Sequence, residues 1–140
     1  MLDFSFSFVP FLIVGIGNFF LSWLYYSPAV PWFKTWARNV GMDITKREMT
    51  EQEKKDMPRL MGGAVVASFL LSYGLQVLIH SLKLTSFLSG ALAGVVFWMV
   101  FAVTLSLNSQ FEGRKPVVLV INNVLYLLTY AGFSGLVAVL

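Results

Sequence analysis

Phe87–Asn108 reads FLSGALAGVVFWMVFAVTLSLN, with no charged side chain from one end to the other. At ~1.5 Å of rise per residue, a helix of that length crosses the ~30 Å hydrocarbon core of a bilayer. Residues 6–26, 60–80 and 117–139 share the pattern, each of similar length and each free of Asp, Glu, Lys and Arg. The expected fold class is therefore all-α: a polytopic membrane protein whose four transmembrane helices form a single transmembrane domain over residues 1–140. Lipid is the main solvent of such a chain.

Composition points the same way. Of 140 residues, 57% are hydrophobic, 16% aromatic and 12% charged, whereas a soluble domain carries about 25% charged residues. The net charge of +3 does not point to nucleic acid, because most of the cations sit beside the apolar runs. No cysteine is present, which removes disulfides and thiol chemistry. The first run lacks a basic n-region and ends at Tyr25-Tyr26-Ser27-Pro28 without a small-residue cleavage pattern. It is expected to remain as a membrane anchor.

Nine of the ten cations fall in two connectors. Lys34, Arg38, Lys46, Arg47, Lys54, Lys55 and Arg59 lie in the first (27–59), Arg114 and Lys115 in the third, and Lys83 alone on the opposite side. The positive-inside bias places the first and third connectors in the cytoplasm and both termini outside, across a plasma (inner) membrane.

The first connector has two parts. Trp32, Phe33, Trp36 and Val40 recur at helical spacing against Lys34, Thr35 and Arg38. That pattern predicts a short interfacial helix, with rings among the headgroups and cations near lipid phosphates. The same rings, with Trp23, Tyr25 and Tyr26, suit either an aromatic belt or packing in the core. Segment 43–57 is strongly charged and predicts a cytoplasmic helix, either simply solvated or a docking surface for a cytoplasmic partner. Thr45-x-x-Glu48 and Thr50-x-x-Glu53 read as capping boxes, Glu51/Lys55 as an i,i+4 pair, and Pro58 as the start of the next helix.

Within the spans the informative residues are amides, hydroxyls and glycines. Gly15, Asn18, Ser22 and Tyr25 share one face of the first, and Ser68, Ser72, Gln76 and His80 run at intervals of four along the second. Thr104 and Asn108 end the third, and Asn122, Asn123, Tyr126, Thr129 and Tyr130 crowd the fourth. A buried amide costs several kcal/mol in hydrocarbon unless its hydrogen bonds are made, so these groups should face other helices. The candidate binding layer is Asn18, Ser22, Thr104, Asn108, Asn122, Asn123 and Tyr126, either packed as interhelical glue or surrounding a small polar cavity. Gly90-x-x-x-Gly94, Gly63-x-x-x-Ala67 and Ala131-x-x-x-Gly135 are close-approach seams, within one chain or between protomers.

Several chemistries lose their residues. One histidine and no cysteine leave no metal, haem or iron–sulfur constellation, and His80 reads as an interfacial residue. The spans hold no carboxylate for proton relay, and neither a phosphate loop nor a nucleophile elbow occurs. No cofactor and no enzymatic activity are expected.

Two segments carry a family signature. The first is Asn18-x4-Trp23-x-x-Tyr26-Ser27-Pro28 with Trp36; the second is Asn108-x-x-Phe111-Glu112-Gly113-Arg114, followed by Ile121-Asn122 and Tyr126. Together they resemble the bacterial membrane family known as domain of unknown function number 1761, over essentially the whole chain. The resemblance implies a four-helix membrane fold and no particular activity. It also directs attention to the third connector, where Glu112 and Arg114 could pair with each other, with the first connector or with phosphates.

These readings lead to a noncatalytic membrane scaffold or accessory component that contacts membrane lipids and forms a homo-oligomer. The alternatives are a small uncoupled channel or facilitator using the amide layer, and a protein binding lipid or a hydrophobic ligand along Trp32, Phe33, Trp36, Arg38, Glu112 and Arg114. The orientation has a direct test. Single cysteines at Ser5 and Thr85 should label from outside intact cells, and one at Glu53 only after the membrane is opened. Outside labelling at Glu53 would reverse the assignment.

Overall fold

The computed structural model describes residues 1–45 and 49–140. Among them the chain forms α1 (Phe8–Tyr25), α2 (Phe33–Asn39), α3 (Glu51–Ser81), α4 (Phe87–Asn108) and α5 (Pro116–Val139). All but α2 are long and apolar enough to cross a membrane. Two of them contain π-helical turns, Trp98–Val103 in α4 and Leu128–Gly132 in α5.

Local chemistry sets the ends. α1 stops at the Ser27-Pro28 turn, where proline disfavours helix in the residue before it. α2 ends in a Schellman motif: Gly41 adopts φ +82°, and the N–H of Met42 reaches back to the Ala37 carbonyl at 2.9 Å. α3 opens on Thr50, whose hydroxyl accepts from the Glu53 N–H at 3.2 Å while the Glu53 carboxylate accepts from the Thr50 N–H at 2.6 Å. That is the expected capping box. The other expected box, Thr45/Glu48, lies partly outside the described residues.

Two expectations about α3 need correction. Among the described residues only 51–57 of the charged segment are helical, and they run into the second span as one continuous helix, with Pro58 inside it rather than at its start. Proline removes the hydrogen bond to the Lys54 carbonyl. This part of α3 is exposed, so water can take the bond's place. The ion partner of Glu51 is Lys54 at 2.8 Å, not Lys55; positions three and four along share a helix face.

The N-terminal segment lies against the end of α3: the Asp3 N–H donates to Ser81 Oγ at 2.7 Å, and Ser5 Oγ meets His80 Nδ1 at 3.1 Å. Both termini and the α3–α4 turn therefore share one end of the bundle, the termini end. The first and third connectors share the other, the basic end. The core belongs to the termini end, where Val14, Leu75, Ile79, Val137 and Ala138 pack together, flanked by Leu71, Phe97 and Phe133. Toward the basic end α3 separates from its neighbours, and residues 60–67 are exposed throughout.

α4 is held to α5 by backbone proximity. A Cβ on Gly94 would collide with the Tyr130 carbonyl and come within 2.7 Å of Ala131 Cα; one on Gly90 would strike the Ser134 carbonyl. Gly135 faces the Phe87 ring. The Gly90/Gly94 and Ala131/Gly135 seams therefore face one another within one chain, whereas a Cβ on Gly63 would meet nothing within 4 Å among the described residues.

The π-turns decide which side chains follow that seam. In a regular α-helix Asn108 stands about five turns from Gly90, on the same face. The wider turn at Trp98–Val103 rotates the chain less per residue, and the packed face passes through Ala102 and Ser106. Thr104 and Asn108 consequently point away from the bundle and are exposed, contrary to their expected place in the polar layer.

Gly94→Ala should force α4 away from α5 and lower stability in detergent by about 1–3 kcal/mol, while Gly63→Ala should have little effect. Equal melting temperatures for Gly94→Ala and the parent would show that the seam tolerates a methyl group.

Candidate functional site

Hydrogen bonds between spans begin on α3. Its stripe Ser68, Ser72 and Gln76 is buried and turned toward α1. Gln76 Oε1 accepts from the Ser7 N–H at 2.9 Å, one of the unpaired donors at the start of α1. Ser72 Oγ donates to the Phe11 carbonyl at 3.0 Å. Asn18 Nδ2 then donates to Ser68 Oγ at 2.9 Å, while its Oδ1 accepts from Thr129 Oγ1 at 3.1 Å. Asn18 thus joins α1, α3 and α5 through one amide.

Near the basic end the aromatic cluster docks onto α5. The Tyr25 hydroxyl donates to the Ile121 carbonyl at 2.8 Å. Asn122 Oδ1 accepts two bonds, from the Tyr26 hydroxyl at 2.8 Å and from Trp36 Nε1 at 3.2 Å. Trp32 Nε1 donates to the Tyr25 carbonyl at 3.0 Å, one of the carbonyls a helix end leaves open. The Tyr25–Trp32 and Tyr26–Trp36 ring centroids lie 4.8 and 4.6 Å apart. Trp32 and Trp36 are therefore packed against the end of α1, and Trp36 against α5 as well, each indole N–H finding its acceptor inside the protein. Phe33 is half-buried beside Trp36, and Arg38 is exposed.

Asn123 lies off the layer. Its Nδ2 donates to the Leu119 carbonyl of its own helix, and its backbone carbonyl accepts from Trp98 Nε1 at 2.9 Å. Glu112 and Arg114 pair at 3.8 Å on the surface, a contact worth little in water. At the termini end, hydrogen bonds from Ser5 hold the Asp3 carboxyl below its usual range. Among the described residues, Gln76 Nε2, Asn123 Oδ1 and Ser134 Oγ are buried without a protein partner.

Two small cavities flank Tyr126 and Tyr130. One of about 190 Å³ is lined by Asn18, Ser22 and Thr129 together with both tyrosines. The other, about 170 Å³, lies between α4 and α5 and is lined by Ser106, Ser109, Arg114, Asn122 and the same tyrosines. The expected layer thus divides. Asn18 and Asn122 bind other helices, Ser22 and Tyr126 line cavities, and Thr104 and Asn108 face outward. Ser106 was not foreseen, because regular helical spacing gives its place to Thr104. The Trp98 indole bond to α5 left no pattern in the sequence.

The fold defines a class: a multi-pass, all-helical membrane protein with four apolar spans. Residues 9–139 match the family model described as "Protein of unknown function (DUF1761)", and the chain belongs to that family. No curated protein and no solved structure matches the chain.

Proposed function

We propose that the protein is a noncatalytic scaffold or accessory component of a bacterial plasma membrane, assembled as a homo-oligomer, with its basic end in the cytoplasm and both termini outside. The observation that carries this reading is the use of the two best-placed amides: Asn18 and Asn122 join helices to one another and do not encircle a continuous lumen. Four helices around a packed core leave little room for a wet pore within one protomer.

Two surfaces support assembly and partner binding. Gly62 and Gly63, where a Cβ would meet no other described residue within 4 Å, allow a second backbone to approach closely. The exposed start of α3, from Glu51 to Lys55, presents charges of both signs suited to a cytoplasmic partner.

Mass measurement in mild detergent should give a multiple of 15.7 kDa, and liposomes carrying the protein should leak small solutes no faster than empty ones. A strict monomer in every mild detergent would overturn the assembly. Protein-dependent solute flux would overturn the scaffold in favour of a facilitator.

A further inference from the structure

The cavity between α4 and α5 is rich in hydrogen-bond donors. Asn122 Oδ1 is engaged by Tyr26 and Trp36, which fixes the amide and leaves Nδ2 as its free end. Among the described residues Nδ2 has no protein acceptor, and neither do the hydroxyls of Ser106, Tyr126 and Tyr130. Among the described residues Arg114 is the only charged one in the lining, and its weak ion pair with Glu112 uses Nε. A guanidinium and an amide NH₂ offer donors only, so the fitting occupant is an acceptor-rich anion.

The setting selects the kind of anion. Phe101, Leu105 and Tyr126, around the opening, are 47%, 66% and 37% exposed, and the nearby half of α3 leaves that side uncovered. In a membrane-spanning chain this opening faces lipid. A surface groove of about 390 Å³, lined by Asn39, Glu112, Arg114 and Lys115, adjoins the cavity at Arg114; Lys115 adds a second cation, and the Glu112 carboxylate offsets one of the two.

We propose that this cavity binds an anionic phospholipid from the leaflet at the basic end, with its phosphate at Arg114 and its ester carbonyls opposite Asn122 and Tyr126. The lipid's two sets of acceptors follow the column of donors, and its acyl chains leave through the lateral opening beside Phe101 and Leu105. Basic pockets between transmembrane helices recognise lipid headgroups on this electrostatic logic. The site does not depend on whether the protein assembles.

Native mass spectrometry of the full chain, with phosphatidylglycerol or phosphatidylcholine added, tests the site. The parent should retain phosphatidylglycerol about tenfold better, and Arg114→Gln should bring that preference close to unity while Lys83→Gln, at the opposite end, leaves it unchanged. Unaltered preference in Arg114→Gln, or equal loss in Lys83→Gln, overturns the proposal. A second measurement needs no variant. Short-chain phosphatidylglycerol should raise the parent's melting temperature, and inorganic phosphate at equal concentration should not. An equal rise with phosphate assigns the cavity to a soluble anion and overturns the lipid.

Discussion

The Asn18 side chain is the joint on which the bundle depends. Hydrocarbon offers no water to a stranded amide, so its donor and acceptor must both find protein partners. Ser68 supplies one and Thr129 the other, and the two lie on different helices. This single group sets the register of α1 against α3 and α5 together. Ser72 and Gln76 extend the α1–α3 seam toward the termini end, where the apolar core takes over.

α4 is attached by different physics. It adds the Trp98 indole bond, but its main contact is the bare backbone of Gly90 and Gly94 against Tyr130–Gly135. Dispersion between closely packed chains replaces the hydrophobic effect, which does not operate between lipid-facing surfaces. The result is an uneven molecule. The termini end is closed around its core; at the basic end α3 diverges, Tyr126 is uncovered, and a polar cavity opens beside Asn122. The docked aromatic cluster covers one side of this end and leaves the side toward α4 open.

Much of this was legible in the sequence. Uncharged runs gave the spans, Thr50 and Glu53 the start of α3, and the two glycines the α4–α5 seam. The inward turn of Ser68, Ser72 and Gln76 followed from their spacing. The failures share a cause, since each depends on contacts that a periodic reading does not contain. Thr104 and Asn108 were expected to face other helices because polar groups in hydrocarbon need partners, but the π-turn carries the packed face through Ala102 and Ser106 instead. Pro58 suggested a helix start, yet water can satisfy an exposed carbonyl and let the helix continue. For Trp32 and Trp36 spacing left a belt and core packing both open, because their acceptors, the carbonyl of Tyr25 and the amide of Asn122, lie elsewhere in the chain.

A double-mutant cycle on Asn18→Leu and Thr129→Val, read as unfolding free energy in detergent, tests the joint most directly. Both single variants should destabilise, with a coupling energy of about 0.5–1.5 kcal/mol between them. Additivity within about 0.3 kcal/mol would contradict the account, because the two side chains would then not be sharing a hydrogen bond.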